Sequence, residues 1–474
     1  MRGSIPGYLR PHVEGIEAYR REISLDLYLR SSGERTVGDR TIHGRYPELN
    51  DGRLFQTALE AGDLTYARAL LSMFITSRLV DANDHLVAAR LGTVVTYDGG
   101  EKVPIGRALA AWRAASTDDE RRRIGTALVP GLEQLAAAQR QWLDEYGSIR
   151  AALRFRTQSE LVSAVYGDVR AWLRHAETYL ASTRDGFLRE AAEWQRRDGR
   201  GRTTTFTALP IRGVPLPAGA VASDSAVRRT AATWGFGAEA QRIPIDLVPR
   251  PGKLAGALCG RIDPPRDVRV TSQPTGDSFE YVLLLHEFGH GLHFTVGPDR
   301  PFDLFGDDQA ITEGFGITFG TVASEPGWLR EFAGVTFDDE SLARMRFGDM
   351  LSARLQAIHV LYEYKVFSGA IDYEKEFVEI YRRETGIEIS PHLALTRMLF
   401  FLGLQPFYAL ALYQAYGFRD ALWQRLTEVG GPTWYANDRC HPLLADLFRT
   451  ACERDLTGMF GTLNAPMPTA GAPR

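Results

Sequence analysis

Residues 281–294 read YVLLLHEFGHGLHF, and this stretch decides how the rest of the chain is interpreted. The apolar run Val282–Leu285 leads into His286, Glu287 and His290, which form the pattern H-E-x-x-H. On a helix, residues i and i+4 lie one turn apart on the same face, so both imidazoles can reach one metal ion at about 2.0–2.1 Å. The spacing therefore predicts a helix that presents two ligands to a metal.

Glu287 is next to the first histidine but leaves the helix at a different angle. That direction suits a carboxylate that takes a proton from water without binding the metal, which is the role of a general base. The alternative is a core helix with two hydrogen-bonded histidines. Burying two histidines and a glutamate in so apolar a helix costs free energy unless they are paired or bind a metal, so we favour the metal site.

A catalytic zinc site needs a third protein ligand and one open position. In the pattern H-E-x-x-H-x-x-G-x-x-H the third histidine would stand at position 296, but Val296 is there and His293 replaces the glycine, which excludes that class of site. The other common ligand is a glutamate from a following helix. Glu313 in GDDQAITEGFGITFGTVASEP (306–326) comes 23 residues after His290 (313 − 290), and we predict it as the third ligand. Weaker candidates are Glu280, Asp308 and Glu325.

The remaining chain is mostly helical in pattern. Residues 1–200 carry apolar residues at three- and four-residue spacing and predict an all-helical half. A loop is expected at 196–205, and short runs bounded by Pro and Gly predict a few strands within Thr207–Thr271. Helical spacing returns over Phe279–Phe460. The predicted domains are an N-terminal helical half (1–200), a catalytic half with the motif (201–462) and a flexible tail (463–474).

Composition excludes several classes of partner. With 55 Lys and Arg against 59 Asp and Glu, no overall positive field would attract nucleic acid or an anionic membrane. Cys259, Cys440 and Cys452 form no C-x-x-C pair and the N-terminus lacks a signal-peptide pattern, so we expect reduced thiols and a cytoplasmic protein. The longest uncharged run, Met398–Phe418, contains Pro406 and favours a buried core helix over a membrane span.

The motif and its flanks resemble a known family. RPGKLAGALCGRIDPPRDVRVTSQPTGDSFEYVLLLHEFGHGLH (250–293) is similar to the segment of the thimet-oligopeptidase and oligoendopeptidase family in which a G-K-x-x-G-A strand precedes the H-E-x-x-H helix. TEGFGITFGTVASEPGWL (312–329) resembles the glutamate helix of that family and of its angiotensin-converting-enzyme relatives. The resemblance implies a mainly α fold, with two helical halves around a deep cleft and a small antiparallel sheet beside the H-E-x-x-H helix.

The resemblance also implies roles for individual residues. One zinc ion per chain would be bound by His286, His290 and Glu313, with Glu287 as the base. Gly256 and Ala257 would lie on an edge strand whose main chain pairs with an extended substrate, although an ordinary packed edge strand is the alternative.

The family places a histidine and tyrosines on a late helix, where they donate hydrogen bonds to the developing oxyanion. The matching stretch is FFLGLQPFYALALYQAYGF (400–418), in which Tyr408 and Tyr413 are the best-placed phenols and core packing is the alternative. Gln405 stands where the histidine is expected, and His392 is too far upstream to replace it. For His293 two roles are open, a substrate contact or a structural one.

Together these features predict zinc-dependent hydrolysis of peptide bonds in short peptides, with no obligate protein partner. Two alternatives remain. The scaffold could serve one specialised small-molecule or peptide reaction, as the Gln405 departure suggests, or it could be an inactive zinc-binding protein. The retained Glu287 argues against the inactive protein, because a purely structural zinc site has no need of a base.

Overall fold

The computed structural model describes residues 5–96, 100–114, 117–167, 169–197, 213–250, 252–254, 256–368, 372–387, 389 and 407–467. These residues form a mainly helical protein, as the periodicity predicts. The helices up to residue 197 are α1 (Val13–Ser31), α2 (Thr41–Arg45), α3 (Arg53–Glu60), α4 (Leu64–Arg78), α5 (Val80–Gly92), α6 (Ile105–Ala114), α7 (Asp118–Ala152), α8 (Gln158–Tyr166) and α9 (Arg170–Arg197).

The later helices are α10 (Ser223–Thr233), α11 (Gly237–Gln241), α12 (Phe279–Val296), α13 (Gln309–Val322), α14 (Pro326–Trp328), α15 (Asp339–Ser368), α16 (Tyr373–Thr385), α17 (Tyr408–Gly430), α18 (His441–Thr450) and α19 (Leu456–Thr462). The strands are β1 (Val94–Thr96), β2 (Lys102–Pro104), β3 (Ile245–Asp246), β4 (Ala257–Asp263) and β5 (Asp267–Ser272). Within the described ranges, no helix combines the length and apolarity that a membrane crossing requires.

The chain divides into two compact units, each assembled from separate segments. The described residues of Met1–Leu71, Arg212–Met350 and Ala411–Pro468 form the first unit, and those of Ser72–Ile211 and Leu351–Leu410 belong to the second. The predicted N-terminal half, 1–200, therefore contributes residues to both units. Its predicted boundary, and most of the loop expected at 196–205, lie outside the described residues. The proposed cleft stays a prediction.

The first unit contains a three-stranded sheet in the order β3-β5-β4. Strands β4 and β5 are antiparallel, with Cys259 opposite Val270, and the two-residue β3 runs parallel to β5. Helix α12 packs on this sheet, where Gly291 lies against Val270 and Ile243. The predicted small sheet beside the H-E-x-x-H helix is thus confirmed, with one parallel strand added.

Helices α12 and α13 pack unusually closely because glycines line their contact. A Cβ atom on Gly289 would lie 2.4 Å from Phe319, and one on Gly320 would lie 3.1 Å from the carbonyl oxygen of Val282. Without side chains at these positions, the two backbones can approach closely. This approach brings Glu313 on α13 to the face of α12 that carries the two histidines.

Two predictions about secondary structure are wrong in part. Residues 1–200 are not all helical, since β1 and β2 form an antiparallel pair around the buried Val95 and Val103. Strands of three residues are too short to interrupt the surrounding helical periodicity visibly. The region Thr207–Thr271 includes α10 and α11 as well as strands. Helix α10 buries Ala226, Val227, Thr230 and Ala231, a spacing of three to four residues that the neighbouring Pro and Gly runs obscure.

Candidate metal centre

His286, His290 and Glu313 converge on one point. The two Nε2 atoms are 3.1 Å apart, and Oε2 of Glu313 lies 3.5 Å from Nε2 of His286 and 3.8 Å from Nε2 of His290. All three potential ligand atoms lie within 4.8 Å of one another. The rings of the two histidines are nearly perpendicular, at 85°. Among the described residues this is the one group of three or more His, Cys, Asp or Glu side chains with such an arrangement.

The helices explain why these side chains meet. His286 and His290 are one turn apart on α12, so their imidazoles lie on the same face. Asp308 caps α13, because its side chain accepts a hydrogen bond from the backbone N–H of Ala310 at 3.0 Å. Glu313 follows in the next turn of α13. Of the weaker third-ligand candidates, Asp308 is occupied as this cap and Glu280 accepts from the backbone N–H of Gly276.

Gly316 leaves room for both imidazoles. It follows Glu313 by three residues and so lies on the same face of α13. A Cβ at this position would stand 2.8 Å from Cε1 and Nε2 of His286 and 2.8 Å from Cε1 of His290. The sequence reasoning did not identify this residue, although its spacing from Glu313 is visible in the sequence.

The donor atoms of His286, His290 and Glu313 are of the kinds that bind a zinc ion. Two imidazoles and one carboxylate are the protein ligands of an open catalytic zinc site. Burial lowers the pKa of His290 to about 3, although Glu313 opposes this shift, so its imidazole is neutral and offers a lone pair. The buried Nδ1 of His290 has no hydrogen-bond partner in the described structure. The ring is therefore held by its packing and by the groups around Nε2.

Glu287 is held by the main chain of the edge strand. Its Oε2 accepts a hydrogen bond from the backbone N–H of Cys259 at 2.7 Å. Burial, with a smaller contribution from the charge of Glu313, raises the pKa of Glu287 to about 6 against the opposing effects of His286 and of the hydrogen bond from Cys259. This partly buried carboxylate lies close enough to His286 and Glu313 to interact with them electrostatically, and its role as a general base stays a prediction. Cys259 is a second residue that the sequence reasoning missed, because a backbone donor has no side-chain signature.

Strand β4 is at the edge of its sheet, and the hydrogen bond from Cys259 fixes which main-chain groups face outward. In an antiparallel pair these groups alternate in direction, so Ala257 presents its N–H and C=O on the same side as the N–H of Cys259. Gly256 differs, because its N–H donates to Leu254 and its C=O accepts from Gln273. Of the two residues predicted to pair with a substrate through their main chain, only Ala257 therefore presents its groups outward.

His293 lies in an aromatic cluster rather than with the three converging side chains. Only 1% of the residue is exposed, and its ring centroid is 5.0 Å from that of Phe315 and 5.7 Å from that of Phe448. Burial lowers its pKa to about 4. This placement agrees with the structural role left open above, and a substrate contact stays a prediction.

The tyrosines expected to stabilise an oxyanion both lie on α17. Tyr408 is its first residue and is partly buried, and Tyr413 is 5% exposed. Phe418, further along the same helix, packs edge-on against Phe315 of α13 at a centroid distance of 5.4 Å. Their roles stay predictions. Gln405 and His392 lie outside the described residues.

No protein-family model and no curated protein sequence matches the chain. Solved structures do match. A crystal structure assigned to oligoendopeptidase F has a TM-score of 0.65 at 14% identity, covering 98% of this chain and 90% of that one. The structure of PZ peptidase A with an inhibitor has a TM-score of 0.62 at 13% identity, covering 97% of this chain and 86% of that one. A crystal structure from Bacillus anthracis str. Ames, also assigned to oligoendopeptidase F, has a TM-score of 0.59 at 14% identity, covering 98% of this chain and 84% of that one. The chain therefore has the fold of these peptidase structures.

Proposed function

We propose that this protein is a zinc-dependent hydrolase that cleaves peptide bonds in short peptides. The observation that carries the proposal is the convergence of His286, His290 and Glu313 beside the partly buried carboxylate of Glu287. Two features support it further, the fold shared with the peptidase structures above and the position of β4 at the edge of its sheet, next to this centre.

A zinc ion held by the two histidines and Glu313 would supply Lewis acidity, which polarises a carbonyl group and lowers the pKa of water. The chain itself supplies the proton transfers. Glu287 accepts a proton from the attacking water and passes it to the leaving amine. The N–H of Cys259 fixes Oε2 of that carboxylate, so the other oxygen, Oε1, is free to take the proton.

The main chain of Ala257 would bind the substrate as an added strand. An extended peptide beside β4 gains hydrogen bonds from backbone groups that are independent of its side chains. This mode of binding suits a hydrolase of peptides with varied sequence. Tyr408 or Tyr413 would then donate to the oxyanion, a contribution of about 100- to 1000-fold in rate for each donor.

The experiment combines metal analysis with a peptide-library digest read by mass spectrometry. We expect about one zinc per chain and cleavage of short peptides by the parent protein. His290→Ala should lose zinc, and Glu287→Gln should keep zinc but lose about 100- to 10,000-fold in rate, because an amide cannot accept the proton.

Glu280→Gln is the matched control, since it removes a carboxylate from the same helix without touching the centre. Full zinc occupancy in His290→Ala would refute the ligand assignment. Activity of Glu287→Gln within about tenfold of the parent would refute the base. If the parent binds zinc but cleaves no peptide in the library, the peptidase proposal is wrong, and the two alternatives considered above, a specialised reaction and an inactive zinc-binding protein, remain.

A further inference from the structure

One guanidinium group joins the three elements that carry the candidate centre. Arg261 belongs to β4, two residues after Cys259, whose N–H binds Glu287. Its Nη1 contacts Oδ2 of Asp307 at 2.5 Å, just before the cap of α13. Its Cζ lies 5.4 Å from the centroid of Phe294 on α12. Strand β4, helix α12 and the start of α13 therefore meet at one side chain.

Each of these contacts is close to a residue of the centre. Phe294 is one turn beyond His290, and their rings are nearly parallel at 13° with centroids 6.1 Å apart. Asp307 also accepts a hydrogen bond from the hydroxyl of Thr312 at 3.4 Å, and Thr312 immediately precedes Glu313. The guanidinium is thus linked to the second histidine through a ring and to the third ligand through a carboxylate.

The surroundings make this link stiff. The side chain of Arg261 is 28% exposed and that of Asp307 only 10%, so the ion pair is largely withdrawn from water. Side chains two residues apart on a strand share a face, so Arg261 projects to the same side as Cys259, which packs against the apolar cluster that includes Phe294 and Val268. That side is the one covered by α12.

We propose that Arg261 is a positioning residue that fixes Glu287 and Glu313 relative to each other, with Asp307 as its partner. The proposal rests on the function proposed above. A planar guanidinium can stack on a ring and hold a carboxylate at the same time, whereas an ammonium group supplies a point charge only. Displacing β4 would move the N–H that holds Glu287, and displacing the start of α13 would move Glu313.

The test compares Arg261→Lys, which keeps the charge opposite Asp307, with Arg261→Met, which removes it. We measure kcat, KM, the melting temperature and the zinc dissociation constant of the metal-free protein by chelator competition. Loss of a residue that orients metal ligands typically weakens metal affinity or activity by about 10- to 100-fold. We expect Arg261→Lys to lower kcat and zinc affinity by about that factor, with KM changed less than about threefold.

Arg269→Lys is the matched control. Arg269 lies on the neighbouring strand β5 and pairs with Asp267 at 2.7 Å. Its guanidinium lies over the ring of Tyr28 on α1, whereas that of Arg261 lies over a ring of α12. This control should keep the zinc affinity and kcat of the parent. If Arg261→Lys also keeps the parental zinc affinity and kcat, and only Arg261→Met loses stability, then Arg261 and Asp307 form a structural ion pair and the proposal is wrong.

A second variant covers the case in which Arg261→Met folds poorly. Phe294→Leu removes the ring under the guanidinium and leaves the ion pair in place. We expect its effect on zinc affinity to be non-additive with that of Arg261→Lys, because the two groups act together. Strict additivity would overturn the proposal. Failure of the parent to bind zinc would refute the proposed function itself, which separates the two conclusions.

Discussion

Replacing Gly316 by alanine would place a methyl group against both histidines of the candidate centre. The added carbon would lie 2.8 Å from Cε1 of His286 and from Cε1 of His290. Non-bonded carbon atoms are at their optimum at about 3.5–4.0 Å, so the imidazoles or α13 would have to move by about 0.7 Å. Zinc–nitrogen distances tolerate only about 0.2 Å, so the displaced rings cannot keep ideal coordination.

The same substitution should affect folding less than it affects metal binding. Overpacking costs about 1–3 kcal/mol, and the higher helix propensity of alanine returns about 1 kcal/mol. We therefore expect the metal-free variant to be destabilised by about 0–2 kcal/mol. Its zinc affinity should fall about 10- to 100-fold, as for other changes that move metal ligands.

The measurements are chelator competition for zinc and urea unfolding of the metal-free protein. Gly147→Ala on α7 is the control, because a Cβ there meets nothing within 4 Å. That variant should gain about 0.5–1 kcal/mol and keep its zinc affinity if a metal site is present. A folded Gly316→Ala protein that binds zinc within about threefold of the parent would contradict the reasoning.

Three further predictions follow from the tyrosines, the edge strand and a buried carboxyl group. Either Tyr408→Phe or Tyr413→Phe should lower kcat more than it raises KM; if both keep the parental kcat on peptides, α17 is a core helix only. Ala257→Pro should raise KM for peptides because it removes an outward N–H. Gly256→Ala should leave KM unchanged, since its Cβ would meet nothing closer than 3.9 Å. If the two variants have equal KM values, substrate does not bind as an added strand. Burial raises the pKa of Glu363 to about 8 from 4.5, so the folded state binds more protons than the unfolded state between these values and stability falls as pH rises. Glu363→Gln should remove this decrease in the free energy of unfolding, which is on the order of a few kcal/mol between pH 5 and pH 8 as measured by urea unfolding. If the variant keeps the parental dependence of stability on pH, the assignment to Glu363 is wrong.

The sequence predicts the helical elements well where a single periodicity runs for several turns. Helix α12 begins at Phe279, as its apolar spacing indicates, and the i, i+4 geometry places His286 and His290 together without knowledge of any other element. The convergence of Glu313 with the two histidines is predictable for a different reason, because a zinc site of the predicted class would limit the third ligand to few residue types. These inferences need only local geometry and the chemistry of the donor atoms.

The remaining parts of the centre depend on contacts between distant segments. Cys259 is 28 residues from Glu287, and its contribution is a backbone N–H that every residue except proline possesses. The pairing of Arg261 with Asp307 spans 46 residues and involves two residue types that are common on surfaces. Neither feature can be identified until the register of β4 and its position against α12 are known.

Gly316 shows that part of this information was nevertheless present in the sequence. A helix that presents a glutamate to two imidazoles must keep the same face free one turn later, or its own side chain would collide with those rings. Position 316 is that next turn, and the collision distance of 2.8 Å shows how little space the face leaves. The pattern E-x-x-G, joined to an upstream H-E-x-x-H, therefore expresses a steric requirement of the centre. The Gly316→Ala experiment tests that requirement directly, since it changes the space around the three converging side chains without changing any of them.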